Sequence, residues 1–253
     1  MKNVLNMRVL FVISMIYLSG CNFLHEKSSS IGCADSSLTK LDSNVVRDVD
    51  GNIYKTIKIG DKIWMQENLK VTHYRNGDPI PNITDSTLWM NTKKGAYCNY
   101  NNDTNYVHIY GRLYNWYAVN DPRNICPVGW HVPSDSDYSQ LDGLYGGTTL
   151  SGMALKESGL AHWKKPNPDA TNLSGFTALP GGGRGDEGFN GFNRIGFYAF
   201  FWNKNEYIGD TFHEKNYAHE CSLSSGASYF NQDWGCENRG MSVRCIKDNQ
   251  EKK

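Results

Sequence analysis

The hydrophobic and polar positions divide the chain into an apolar segment, a polar segment and a domain of short strands. From Val9 to Leu18 the residues are almost all apolar, whereas residues 22–44 are rich in serine and show little periodicity. From Val45 to Leu69, β-prone runs alternate with the turn pairs Asp50-Gly51 and Gly60-Asp61. Glycine tolerates the positive φ of tight turns, so this segment predicts strands joined by hairpins.

Beyond residue 70 the pattern predicts long loops and few helices. Residues 70–105 are loop-like, and the aromatic run Tyr110–Val119 is compatible with a short helix or a buried strand. Ser134 and Asp137 have the spacing of a capping box, in which each side chain satisfies a free backbone N–H of the other. This predicts a helix that begins after Ser134.

That helix is expected to end at Gly146-Gly147, because glycine commonly follows a helix terminus. Its apolar face would comprise Tyr138, Leu141 and Leu144. A second short helix is predicted near residues 152–158, and strands and loops from Phe176 onward.

Two segments invite a ligand-binding interpretation that a turn explains better. Asp48, Asp50 and Asn52 lack the glutamate and flanking helices of a calcium loop. Residues 181–185 (GGGRG) lack the Gly-Lys-Ser/Thr ending and the following helix of a phosphate loop. We therefore expect turn chemistry at both places.

The N-terminus predicts export. Lys2 and Arg8 precede the apolar run, which is shorter than the roughly 20 residues that a membrane span needs. Leu18-Ser19-Gly20-Cys21 is similar to the bacterial lipobox, which implies cleavage before Cys21 and its acylation. The alternative is an ordinary cleaved signal with an incidental cysteine, and Met7 is a second candidate start.

Four regions follow: a signal peptide over residues 1–20, a lipidated tether over 21–44, one domain over 45–248 and a polar tail over 249–253. Removing the signal takes away two positive charges from a chain that has 26 basic and 26 acidic residues, so the remainder is slightly acidic. No basic tract of the kind that binds nucleic acid is present. We expect a lipid-anchored envelope protein, with the outer membrane as the favoured site.

Six cysteines remain beyond Cys21: Cys33, Cys98, Cys126, Cys221, Cys236 and Cys245. Disulfides persist outside the cytoplasm, and six cysteines allow fifteen full pairings. Their spacings match no zinc site, so we expect neither a metal nor another cofactor.

Five segments resemble the Fibrobacter succinogenes major paralogous domain family, whose biochemical role is generally unassigned and whose members are often lipoproteins. They occur in the same order across about 45–248. The segments are residues 63–70 (IWMQENLK), 74–80 (YRNGDPI), 111–116 (GRLYNW), 126–133 (CPVGWHVP) and 242–248 (SVRCIKD).

A more distant resemblance is to C-type lectin-like domains, through one cysteine before the first helix and three at the chain's end. It implies an α+β fold with short twisted sheets, one or two short helices and long loops. It also implies the disulfides Cys126–Cys245 and Cys221–Cys236, with Cys33 and Cys98 left open. The sugar-binding calcium triplets of such lectins are absent, since the nearest strings are residues 165–167 (KPN) and 233–235 (DWG).

Export, the lectin-like cysteine pattern and clustered aromatic and amide residues favour a non-catalytic module that binds a glycan or an envelope protein. The candidate ligand-binding residues are Trp202, Asn203, Glu206, Tyr229 and Trp234. Each aromatic residue among them could instead belong to the core.

An enzyme and an assembly protein are the alternatives. Formylglycine-generating enzymes share a distantly similar fold, but fold similarity alone is weak evidence of activity. Of the histidines, His131 is expected to pack at the start of the helix, and no hydrolase motif accompanies His162, His213 or His219. Asp186-Glu187 is expected to be solvated.

Overall fold

A computed structural model describes residues 44–186, 189–207 and 216–249. The predicted signal peptide, the acylation site Cys21, Cys33, His213 and Glu187 lie outside these residues. Within them, no helix is both long and apolar enough to cross a membrane. The fold is α+β, with short antiparallel sheets, short helices and long connections.

A five-stranded sheet joins the two ends of the domain, in the order β1-β2-β3-β12-β6. Ile246 of β12 pairs with Trp64 on one side and with His131 on the other. The last strand of the domain therefore lies between strands from its beginning and its middle. The strands are β1 Val45–Arg47, β2 Ile53–Ile59, β3 Lys62–Met65, β6 Trp130–His131 and β12 Ile246–Lys247.

A three-stranded antiparallel sheet, in the order β11-β10-β9, forms the second layer. Two further hairpins pair β4 with β5 and β7 with β8. These strands are β4 Tyr97–Cys98, β5 Leu113–Tyr114, β7 Gly183–Asp186, β8 Phe189–Asn193, β9 Tyr198–Glu206, β10 Tyr217–Ser224 and β11 Phe230–Cys236.

Five short α-helices lie in the described residues, more than the one or two predicted. They are α1 Ser86–Asn91, α2 Val107–Tyr110, α3 Trp116–Val119, α4 Asp135–Gly143 and α5 Ser151–Leu155. Helix α1 lies in the stretch predicted to be loop, and Asp85 caps it by accepting from the Leu88 N–H at 2.8 Å. The sequence pattern missed it because six residues are too short to show a helical period.

Several local predictions are confirmed. Ser134 and Asp137 form the capping box of α4, and both turn glycines, Gly51 and Gly60, have positive φ. The Asp48 carboxylate accepts from Asn52 and from the Tyr54 hydroxyl, as turn chemistry requires. The glycine-rich segment at 181–185 leads into strand β7, so it is not a phosphate loop.

The aromatic run Tyr110–Val119, which is compatible in sequence with a helix or a strand, contains parts of both. Helix α2 ends at Tyr110, strand β5 follows at Leu113, and α3 begins at Trp116. Asn115 caps α3 through its side-chain oxygen, which also accepts from the Ala96 N–H. One amide side chain thus starts a helix and holds a neighbouring loop.

Aromatic residues dominate the core. Phe176 packs edge-on against Trp64 and Phe201, with ring centroids 5.7 and 5.8 Å apart. Such T-shaped pairs add to the energy of apolar burial. Bulky rings fill the space between small sheets that short strands alone could not close.

Arginine side chains hold the long loops. Arg75 donates to the carbonyls of Cys126, Pro127 and Trp130. Arg184 donates in the same way to two successive loop carbonyls at residues 83 and 84. Loop carbonyls that have no sheet partner are thereby satisfied inside the fold.

Arg244, on the segment before β12, is also buried and donates to the carbonyls of Phe176 and Thr177 and to the Asn68 side chain. Its guanidinium stacks on the Phe176 ring, 4.3 Å from the centroid. Burial lowers the pKa of Arg244 to about 9. It stays charged at neutral pH, and carbonyl dipoles and a ring face compensate its charge.

The described part of the chain contains one disulfide, Cys126–Cys245, which has the pairing that the lectin-like pattern implied. The two Cα atoms lie 5.9 Å apart across a sequence separation of 119 residues. The bond fixes the loop before β6 to the residue before β12, so it secures the centre of the five-stranded sheet.

The second implied disulfide is wrong. Cys221 and Cys236 are free thiols on adjacent strands, where Cys221 pairs with Gln232 and Cys236 pairs with Tyr217. Four residues of strand separate the two positions, about 13 Å at the usual rise per residue. A disulfide needs Cα atoms within about 7 Å.

Candidate functional site

Trp202 is a core residue, which corrects its prediction as a ligand-binding residue. Its side chain is fully buried, and its indole N–H donates to the Tyr114 carbonyl at 2.8 Å. The neighbouring Asn203 is also buried, at 1% exposure, so it cannot face a ligand directly. Both residues support the fold beneath the surface.

Of the remaining predicted residues, Tyr229 lies apart from Glu206 and Trp234. Tyr229 is 48% exposed and lies just before β11, whereas Trp234 lies near the other end of that strand. Glu206, at the end of β9, is exposed and lies close to the Trp234 end. The structure therefore separates Tyr229 from the other candidates.

Trp234 belongs to a half-exposed aromatic patch, which we define as Tyr207, Tyr217, His219 and Trp234. The Tyr207 ring meets Trp234 edge-on at 5.4 Å and lies 5.7 Å from His219. Tyr217 lies 6.2 Å from Trp234 on its other side. Four rings, on β10, on β11 and directly after β9, thus lie together at one end of the sheet.

The start of helix α4 explains why these rings are only half-buried. Farther along the same sheet face, Tyr138 of α4 packs on Phe230 and covers it. The helix begins at Asp135, where its carboxylate lies 3.2 Å from the His219 ring nitrogen. Beyond that point the described residues contain no further helix over this face.

A β-bulge shapes the strand beside the patch. In the ladder between β9 and β10, Trp202 pairs with Glu220 and Glu206 pairs with Ala218, so three residues of β9 lie opposite His219 alone. The Asn203 side chain stabilises this bulge by accepting from the Asn205 N–H at 2.8 Å. Bulges often redirect side chains beside functional surfaces.

Polar groups border the patch on the helix side. The Asn203 amide donates to the Asp135 carboxylate at 2.5 Å, and the Asn205 side-chain oxygen accepts from the Asp135 N–H at 3.1 Å. The Asp135 side chain is 38% exposed. A carboxylate and an amide oxygen, both held in place, therefore adjoin the ring surface.

The sequence predicted only part of this patch. Tyr207 directly follows the predicted residue Glu206, and His219 is a histidine for which the sequence offers no hydrolase motif. Side chains alternate between the two faces of a strand, so Tyr217 and His219 of β10 lie on the same face. This alternation could have shown from the sequence that the two residues are neighbours. Asp135 was missed because only the fold brings the start of α4 to β10.

Of the three free thiols in the described residues, two are unreactive. Cys98 and Cys221 are fully buried; burial raises the pKa of the Cys98 thiol to about 12 and that of Cys221 well above its ordinary value. Cys236 is half-exposed. Thiolates are the reactive form, so the two buried thiols are inert at neutral pH.

The described residues hold no group of three or more His, Cys, Asp or Glu suited to a metal ion.

His131 belongs to a charged cluster rather than to an apolar contact. Its ring nitrogens lie 2.6 Å from Asp248 and 3.6 Å from Asp137. The Asp137 carboxylate, and to a lesser degree that of Asp248, raises the pKa of His131 despite partial burial. Burial alone would raise the pKa of Asp137, but the nearby His131 ring and the hydrogen bonds from Ser134 lower it.

Comparison with known proteins gives a family and no individual relative. The model of the Fibrobacter succinogenes major domain matches residues 57–247. No curated protein and no solved structure matches the chain. The match contains the three-stranded sheet, the disulfide and the aromatic patch. The chain belongs to the Fibrobacter succinogenes major domain family.

Proposed function

We propose that this chain is a non-catalytic, lectin-like binding module that recognises a glycan through the aromatic patch. One observation carries the proposal: half-exposed rings on β10, on β11 and directly after β9 adjoin a fixed carboxylate and amide at the start of α4. No calcium is required, because the recognition would rest on ring faces and hydrogen bonds.

The chemistry of the patch suits a sugar. A pyranose ring has an apolar C–H face that packs on an aromatic ring, and its hydroxyl groups donate to carboxylate and amide oxygens. Trp234 supplies the largest such ring. Asp135 supplies an acceptor oxygen fixed by Asn203, so the ligand would meet a preorganised partner.

We propose further that the module acts at the cell envelope, held there by a lipid on Cys21, with the outer membrane favoured. The Cys126–Cys245 disulfide supports a location outside the cytoplasm, since such bonds persist in oxidising compartments. The polar segment over residues 22–44 would then be the tether between the lipid and the domain.

The two alternatives have less support. Formylglycine-generating chemistry would need a reactive thiol pair, whereas Cys221 is buried and lies about 13 Å along the ladder from Cys236. An assembly role would use the same surface for a protein partner, and glycan binding distinguishes between the two.

The test is a glycan array probed with the purified, oxidised protein and two variants. Trp234→Ala removes the central ring of the patch. Tyr229→Ala is the matched control, because it removes an exposed ring from the opposite end of β11. We expect a reproducible hit that Trp234→Ala abolishes and Tyr229→Ala retains.

A blank array with folded, correctly paired protein would overturn glycan recognition for the ligands displayed. Loss of the hit in both variants would show that the patch is not the site. A partner protein captured by the wild type and lost on Trp234→Ala, with no glycan signal, would favour the assembly role.

A further inference from the structure

A concave surface that shares no residue with the aromatic patch lies at helix α3. It is a cleft with a volume of about 620 Å³, within the range of small-ligand sites. We call it the basic cleft. Its principal lining residues are Lys93, Lys94, Trp116, Tyr117, Asp121 and Arg123.

Basic side chains outnumber acidic side chains among the residues that line the cleft. Lys93, Lys94 and Arg123 face one carboxylate, Asp121. Arg123 already binds that carboxylate through two nitrogens, at 2.7 and 2.8 Å. The Arg123 guanidinium is therefore engaged within the fold, and the two lysines supply the positive charge that is open to a ligand.

Arg123 is held in place by more than Asp121. It also donates to Asp78 at 3.1 Å, and its guanidinium stacks on the Tyr74 ring at 4.0 Å from the centroid. It therefore forms a fixed wall of the cleft. Lys93 and Lys94 are both exposed at the rim, and the Lys93 ammonium donates to the Asn216 side chain at 3.0 Å.

The floor is aromatic and rigid. Trp116 is buried, and its indole N–H donates to the Asn203 carbonyl at 3.2 Å. Tyr117 is half-buried; burial and its hydrogen bond to Glu237 raise the pKa of its hydroxyl, so it stays neutral. Three prolines complete the walls: Pro79, Pro81 and Pro122.

We propose that the basic cleft binds an acidic sugar, with the carboxylate of a uronic acid at Lys93 and Lys94 and the sugar ring against Tyr117 and the prolines. A lysine ammonium binds an oxyanion as a point charge, and apolar walls accept the C–H face of the ring. This site does not depend on the aromatic patch.

The experiment is titration calorimetry of the purified full chain with trigalacturonic acid. The neutral trisaccharide maltotriose and inorganic phosphate are parallel probes. We expect saturable binding of the uronate alone, weakened several-fold when salt rises from about 50 to about 500 mM, because exposed charges are screened.

Lys93→Gln/Lys94→Gln removes both rim charges and is expected to weaken uronate binding at least tenfold. Lys58→Gln/Lys165→Gln is the matched control, since both lysines are exposed and line no part of the cleft. Trp234→Ala should leave uronate binding unchanged, which separates this site from the aromatic patch. Thermal unfolding checks that every variant is folded.

Three results would overturn the proposal. The first is no saturable binding of trigalacturonate. The second is equal binding of phosphate, which would mean an unspecific anion site. The third is unchanged affinity in the Lys93/Lys94 variant.

Discussion

Trp234 lies directly opposite His219 in the ladder between β10 and β11, at the level where helix α4 begins. The same strand pair is covered by Tyr138 of α4 a few residues further along. One sheet face therefore passes from core to surface within a single strand. The positions on either side of this boundary should respond differently to substitution.

Trp202→Ala and Trp234→Ala should differ in their effect on stability. Trp202 is fully buried, so its truncation should lower the free energy of unfolding by about 3–5 kcal/mol. Trp234 is half-exposed and should cost less than half as much. Urea unfolding followed by circular dichroism measures both. Equal losses would mean that Trp234 belongs to the core.

Removal of the disulfide should destabilise the domain. Cys126→Ala/Cys245→Ala opens a loop of 119 residues, for which the chain-entropy estimate is a loss of about 4.7 kcal/mol. Denaturant unfolding of the oxidised wild type and of the variant gives the difference. A change below about 1 kcal/mol would show that the bond hardly constrains the unfolded chain.

The free thiols should differ in reactivity. In the native oxidised protein, iodoacetamide followed by peptide mapping should modify Cys236 and leave Cys98 and Cys221 unmodified. Burial both shields these two thiols and raises their pKa. All three should react in denaturant. A peptide pair joined through Cys221 and Cys236 would contradict the strand register.

Arg244→Met should be strongly destabilising although it introduces an apolar residue of similar length. The substitution leaves the carbonyls of Phe176 and Thr177 and the Asn68 side chain without their donor in the interior. Each unsatisfied group costs about 1–3 kcal/mol, so we expect a loss of roughly 3 kcal/mol or more. Thermal unfolding measures it, with Arg47→Met as the exposed control. A neutral outcome would mean that the segment at 176–177 relaxes to water.

The charged cluster at His131 predicts a pH dependence of stability. The pKa of His131 is raised in the folded state, so its contribution is present below about pH 6.5 and is lost as pH rises through the folded pKa. The pKa of Asp137 is lowered, so its contribution is present above about pH 4 and is lost as pH falls. The cluster therefore stabilises the domain most between these limits.

His131→Gln should reduce the loss of stability between pH 6 and pH 8 that the wild type shows. The effect should be under about 1 kcal/mol, because Asp248 is half-exposed and solvent screens the pair. Urea unfolding at both pH values measures it, with His108→Gln as the exposed control. An identical pH profile in the wild type and His131→Gln would contradict the assignment.

The sequence predicted the helix cap and the tight turns, but it did not predict which residues of neighbouring strands lie opposite each other. The capping box of Ser134 and Asp137 and the turn at Gly51 depend on neighbouring residues, so their patterns predicted them correctly. The pairing of Cys221 depends on which residue of β11 lies opposite it. No nearby residue encodes that alignment, and the error about the second disulfide followed.

The same limit applies to the candidate site. Trp202 and Trp234 look alike in sequence, because each lies in an aromatic and amide segment. Their burial differs because they lie on different faces of the three-stranded sheet. The sheet face that carries Trp202 packs on β5, whereas the sheet face that carries Trp234 extends past the start of α4. Only the tertiary arrangement separates a core ring from a surface ring.

The arginine contacts of the loops bear on how this domain tolerates change. Arg75, Arg184 and Arg244 donate hydrogen bonds to backbone carbonyl oxygens. Every residue type has a backbone carbonyl. A loop held in this way keeps its path when its own side chains are replaced. One scaffold can thus present many different surfaces, so duplicated copies of such a domain can diverge in what they recognise while they continue to fold alike.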